Sequence, residues 1–166
     1  IHAYKQQYNT NFCSVIPGNI FGENDNFNLE DGHVVPSLVH KCYNAKKNGT
    51  PLEVWGDGSA YREFLYAKDV ARVCIQLLEN DVELPRRVIV SGQEEAQIKD
   101  LVKLVCDAYD YHNVKWLTDK PNGQLRRPTN KQVFYELLPD FKYTDLDKAM
   151  RKTVAWFEQT YPNVRS

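Results

Sequence analysis

A chain of 166 residues, 42% hydrophobic and 26% charged, is long enough to bury a core without disulfides or metal. It has no run of about 18 uncharged apolar residues that would read as a membrane span. A net charge of −1 excludes a generally basic nucleic-acid binder and leaves any anion site local. Cys13, Cys42, Cys74 and Cys106 lie far apart with no C-x-x-C pair, which points away from zinc and dithiol chemistry and toward buried free thiols.

In chain order, His2 to Tyr8 reads as the last turns of a helix, so the chain is expected to start inside an element, with an upstream half missing. Phe12 to Ile16 is a short apolar run ended by Pro17, the pattern of a buried strand, and an Asn- and Asp-rich loop is expected from there to Gly32. Loops of that length often carry function. The spacing of Val34, Val35, Leu38, Val39, Cys42 and Ala45 predicts a helix over 33–47, with Pro36 tolerated in its first turn, Gly49 as its stop and His33 at its start. Leu52 to Trp55 reads as a strand, Gly56 to Ser59 as a turn and Glu63 to Tyr66 as a second short extended segment.

A helix is predicted from Asp69 to Leu78, with Val70, Val73, Cys74, Leu77 and Leu78 on one face. Val88–Val90 and Val114–Leu117 read as strands flanking a helix from about Ile98 to Tyr109. Thr144-Asp145-Leu146-Asp147 has the form of a capping box opening a last helix to about Thr160. The alternation predicts one α/β domain over 1–166. Gly56-Asp57-Gly58 is the only G-x-G, and a third fingerprint glycine would fall at Tyr61, so this reads as a strand-connecting turn and not a dinucleotide loop.

Groups suited to chemistry concentrate in Pro17–His33, Trp55–Arg62 and Lys120–Arg127. Lys41, Arg62, Lys120, Arg126 and Arg127 have the charge to bind a diphosphate, although each taken alone reads more readily as a solvated surface charge. A helix-start histidine such as His33 is usually structural or exposed and is an acid–base group only if a substrate lies in reach, and Trp55 reads as core more readily than as a base-stacking platform.

The order of three segments narrows the choice. Val15-Ile16-Pro17-Gly18-Asn19-Ile20-Phe21-Gly22, then Asp25-Asn26-Phe27, then Asp31-Gly32-His33-Val34-Val35-Pro36, closely resembles the GDP-L-fucose synthase family of extended short-chain dehydrogenase/reductases. Trp55-Gly56-Asp57-Gly58, Arg62-Glu63-Phe64 and Asp69-Val70-Ala71 fit the wider superfamily, and the likeness continues through Asp119-Lys120-Pro121-Asn122-Gly123 to Ala155-Trp156-Phe157.

The resemblance implies a GDP-sugar-binding lobe of a few short strands packed with helices, residues 1–17 being the end of a Rossmann half that is otherwise absent. The activity implied is 3,5-epimerisation and NADPH-dependent 4-reduction of GDP-4-keto-6-deoxymannose, in a cytoplasmic enzyme that is homodimeric at full length. His33 is then the epimerisation acid beside the nicotinamide, and Pro17, Gly18, Asn19 and Ile20 line the cofactor's reactive end. Lys41, Trp55, Arg62, Lys120, Asn122 and Arg126 contact the GDP-sugar, the loop over Lys120–Arg127 closing on it. Asn122 stands where relatives often carry Asp, and Gly18 where many carry Thr. The phosphate loop, the Tyr-x-x-x-Lys pair and the base cysteine of the family belong upstream, so this chain alone is expected to be inactive and not to bind NADPH. A sugar-nucleotide 4-epimerase or 4,6-dehydratase, or a non-catalytic binding domain, are the rival readings.

Overall fold

Periodicity and helix stops partition the chain, in a computed structural model describing residues 1–80 and 82–165, into seven strands and six helices among the described residues. They are α1 (His2–Tyr8), β1 (Ser14–Pro17), β2 (Asn19–Phe21), α2 (Val34–Asn48), β3 (Leu52–Trp55), β4 (Tyr61–Tyr66) and α3 (Ala67–Glu79). After these come β5 (Arg87–Val90), β6 (Glu95–Gln97), α4 (Ile98–Tyr109), β7 (Val114–Leu117), α5 (Gln132–Leu137) and α6 (Leu146–Thr160). The class is the expected α/β arrangement of short strands packed with helices.

The strands form three small sheets. β1 lies parallel to β5 with Val15 opposite Val88, and β3 parallel to β7 with Val54 opposite Trp116. β4 is central in the third sheet, parallel to β2 and antiparallel to β6. The apolar stripe of α2 (Val35, Leu38, Val39, Cys42) packs with Leu101 and Val105 of α4 and with Met150, Val154 and Phe157 of α6 into one core. Leu65, Val73, Leu77, Val88, Val90 and Phe134 form a second core beneath α3 and α5. Gly49 ends α2 at φ 66, a left-handed conformation open to glycine at little cost, and its N–H closes onto the Ala45 and Lys46 carbonyls.

Several expectations change. The loop from Pro17 contains β2, whose three residues are too few to show alternation and are held by pairing with β4. β6 (Glu-Ala-Gln) and α5, which buries only Phe134, also lacked a periodic signal. Helix α3 opens at Ala67 and not Asp69, because Asp69, 1% exposed, is engaged inside the fold. Its carboxylate accepts from the Thr144 N–H and hydroxyl, both at 2.8 Å, and from Arg72 at 2.7 Å. Thr144 is therefore spent on Asp69, and the cap of α6 passes to Asp145, which accepts the Lys148 N–H at 2.9 Å. The four cysteines are free, but only Cys42 and Cys106 are buried, while Cys13 and Cys74 are half-buried.

Candidate functional site

The site is organised around β4. Strand alternation turns Arg62 and Phe64 toward one face and Glu63 toward the other. Glu63 is 5% exposed, and its carboxylate takes Lys131 Nζ at 2.7 Å and the Thr129 hydroxyl. Lys131 Nζ also donates to the carbonyls of Gly92 at 2.6 Å and Gln93 at 3.1 Å. Burial alone would raise the Glu63 carboxyl, but the bonds from Lys131 and Thr129 and the lysine charge outweigh it and hold the group below its ordinary value. The Glu63 backbone carbonyl accepts Asn19 Nδ2 at 2.8 Å, tying β2 to the same strand.

Two adjoining cavities open on the Arg62–Phe64 face and share Asn19, Val34 and Phe64. The first, about 510 Å³, is lined by Gly18, Ile20, Glu23 and His33 among others. The second, about 440 Å³, brings together Lys41, Trp55, Arg62 and Asn122, drawn from α2, β3, β4 and the segment after β7. Trp55 lies at its rim, 61% exposed, so its indole is surface and not core. Neither Lys41 nor Arg62 has a carboxylate partner among the described residues; Arg62 Nη1 donates only to its neighbour's carbonyl, at 2.6 Å. Pro17 ends β1 and lines neither cavity.

His33 caps α2 through its extended backbone, and its side chain makes no capping bond, leaving the imidazole exposed at the first cavity. The loop that presents it is well tied down. Phe27 is fully buried against Trp156 and Phe157, its N–H donates to the Arg165 carbonyl at 2.8 Å, and its own carbonyl lies 2.8 Å from His40 Nδ1. Asn28 Oδ1 accepts the Glu30 and Asp31 N–H groups at 2.7 and 3.2 Å, an Asx-type turn that aims the chain into α2. At the loop's start Glu23 accepts from Tyr66 Oη at 2.7 Å and Lys68 Nζ at 2.7 Å. The D-N-F segment thus works as an anchor for the loop carrying His33.

Residues 119–127 form a strap across the turn after β3. Asn122 Oδ1 accepts the Asp57 N–H at 2.7 Å. Gly56, at φ 78, leaves the room, since a Cβ there would come 1.9 Å from that oxygen. The Tyr61 N–H donates to the Leu125 carbonyl at 2.8 Å, and Arg126 is drawn into a forked pair with Glu95, Nε lying 2.8 and 3.0 Å from its oxygens. Of the expected diphosphate ligands, then, Arg126 is committed elsewhere and lies outside both cavities. Lys120 is exposed, 3.9 Å from Asp119, and also outside them. Arg127 has no acidic partner among the described residues.

Sequence reasoning missed the Glu63–Lys131 pair and the Glu23 anchor. The first had no clear signal, because Glu63 opens a run, 63–66, that is buried on both faces of β4 and shows no alternation. The second had none, its partners being 43 and 45 residues away. No group of His, Cys, Asp and Glu suited to a metal occurs among the described residues, and no helix there is long and apolar enough to cross a membrane.

The chain is similar in sequence and fold to known proteins. The model of the NAD dependent epimerase/dehydratase family matches residues 1–92. The GDP-L-fucose synthase of Dictyostelium discoideum is 34% identical over 165 residues, 98% of this chain and 52% of that protein. A probable GDP-L-fucose synthase of Drosophila melanogaster is 31% identical over 99% of this chain and 54% of its own. The crystal structure of a GDP-L-fucose synthetase from Naegleria fowleri bound to NADP superimposes with a TM-score of 0.87 at 37% identity, covering 93% of this chain and 49% of that one. The chain spans about half the length of the curated relatives it matches.

Proposed function

We propose that this chain, which belongs to the NAD dependent epimerase/dehydratase family, is the GDP-sugar-binding lobe of a GDP-L-fucose synthase. The carrying observation is the convergence of Lys41, Trp55 and Arg62, from three separate elements, on a cavity sharing a wall with the one that holds His33. Two cations without acidic partners suit a diphosphate, and a rim indole suits a guanine face. The strap contributes Arg127 as its uncommitted guanidinium and Asn122 as its hinge pin, while Lys120 stays a solvent-side charge that a closing strap brings to the sugar nucleotide.

The first cavity's walls fit the reactive end of NADPH: Ile20, Val34 and Phe64 offer apolar faces for a flat ring, and Asn19 and His33 offer polar groups for its edge. When bound there, NADPH is the source of the hydride that reduces the 4-ketone. The residues present do the rest. Epimerisation beside a ketone passes through an enolate, so a proton must return to carbon from a new direction, and His33, exposed on an anchored loop, is placed to deliver it. Arg62 and Lys41 hold the diphosphate so that the sugar, not the nucleotide, reaches His33.

The remaining half of the longer protein packs, on this reading, against α1 and β1. Helix α1 buries no side chain, Tyr4, Tyr8 and Phe12 are exposed, and β1–β5 is a two-stranded parallel sheet, a type normally covered on both faces. A cytoplasmic homodimer belongs to the same proposal. Because the cofactor's phosphate site and the reducing residues fall to that half, the 166-residue chain should neither bind NADPH nor oxidise it with GDP-4-keto-6-deoxymannose. The full-length protein should do both. Turnover by the 166-residue chain, or none by the folded full-length protein, would overturn the assignment.

A further inference from the structure

We infer that the Glu63–Lys131 pair is a positioning device for diphosphate binding that acts on Arg62, both along β4 and through the 119–131 segment beside its guanidinium. The inference rests on the reading of the second cavity as the nucleotide site. Glu63 and Lys131 touch neither cavity, yet two of the three residues of the shared wall, Asn19 and Phe64, are joined to Glu63, one by a hydrogen bond and one along β4. The Glu63 backbone carbonyl holds Asn19, its flanking residues Arg62 and Phe64 line the second cavity, and its carboxylate holds Thr129 and Lys131. Lys131 in turn fixes the Ser91–Gln93 turn through the Gly92 and Gln93 carbonyls.

That turn runs hard against β4. A Cβ on Gly92 would lie 2.3 Å from the Phe64 carbonyl oxygen, so the backbone approach is as close as glycine permits. A carboxylate taken out of water is costly unless it is bonded; Glu63 is buried with one donor on each oxygen, and Lys131 is half-buried beside it. Lys131 satisfies its three donors with one carboxylate and two carbonyls. Such a pair is a poor source of stability compared with an apolar contact, but it accepts only one arrangement of the three segments it joins. The strap, pinned at Tyr61–Leu125, Asn122–Asp57 and Arg126–Glu95, is continuous in sequence with Thr129 and Lys131. By holding those two residues Glu63 adds a further tie, at the strap's end, to the three that set where it runs beside Arg62. Near it, a Cβ built on Gly123 would come 3.9 Å from Arg62 Nη2, so strap and guanidinium are already neighbours.

A double-mutant cycle in the full-length protein tests this, with GDP as the probe and its dissociation constant read by calorimetry. Arg62→Ala should weaken GDP about 10- to 100-fold, the scale of a hydrogen bond to a charged group. Glu63→Gln should weaken it by roughly tenfold, since it breaks the pair without changing shape, and in an Arg62→Ala background it should add little, because the residue through which it acts is gone. Lys131→Met should repeat the pattern, and it serves where Glu63→Gln fails to fold. A general loosening of the fold would instead give effects on GDP that add to that of Arg62→Ala. If Arg62→Ala weakens GDP while Glu63→Gln and Lys131→Met leave it unchanged, or if their effects add fully to that of Arg62→Ala, the positioning role is wrong and the nucleotide site stands. If Arg62→Ala itself changes nothing, the nucleotide site falls and the positioning role falls with it.

Discussion

Single side chains carry the site, and they differ in how far the sequence exposes them. His33 was legible because it opens a periodic helix after a motif-bearing loop, and the structure leaves its ring unbonded at a cavity. Nothing local indicates that Glu95, 31 residues away, captures the Arg126 guanidinium while Arg127 has no acidic partner among the described residues. Trp55 reads from its residue type as core, and its exposure overturns that. Tyr109 shows a different limit. It is 1% exposed, burial pushes its phenol well up, and its hydroxyl has no partner among the described residues. An unsatisfied buried hydroxyl costs about 1–3 kcal/mol, so Tyr109→Phe should leave stability unchanged or raise it by up to that amount. Thermal or urea unfolding of the pair checks this, and a clear loss of stability would mean that the hydroxyl has a partner after all.

Among elements, those with strong periods were readable and those made by pairing were not. α2, α4 and α6 announce themselves by apolar stripes, whereas β2 and β6 are three residues each and owe their extended form to β4 between them. β4 is thus the element on which both the sheet and the site depend, and its pH response should show it. Glu63 is held below its ordinary value of 4.5, so its contribution to stability is fully present above that value and is lost as pH falls through the lower folded-state value. The melting temperature of the native chain should therefore fall between about pH 5 and 3, and more steeply than that of Glu63→Gln, which has no proton to take up there. Parallel curves for the two proteins over that range would show that the pair is not charged in the folded state.

For the molecule as a whole, two cores carry two cavities that meet at β4, and the α/β class of a few short strands packed with helices could be read from the residues and their order. What could not be read is the relation between cavities, since it depends on Asn19 bonding a carbonyl 44 residues away and on the strap being pinned from Asp57 to Glu95. The central claim is that this lobe holds a GDP-sugar with His33 over its ring as the returning acid. Solvent-deuterium incorporation at the epimerised sugar carbons, measured in the full-length protein and in its His33→Gln variant, tests that claim most directly. The account predicts deuterium at both carbons in the native enzyme and a loss of about 10²–10⁴-fold in rate in the variant, the usual worth of general acid–base catalysis. Incorporation at the native rate by a folded His33→Gln enzyme would contradict it.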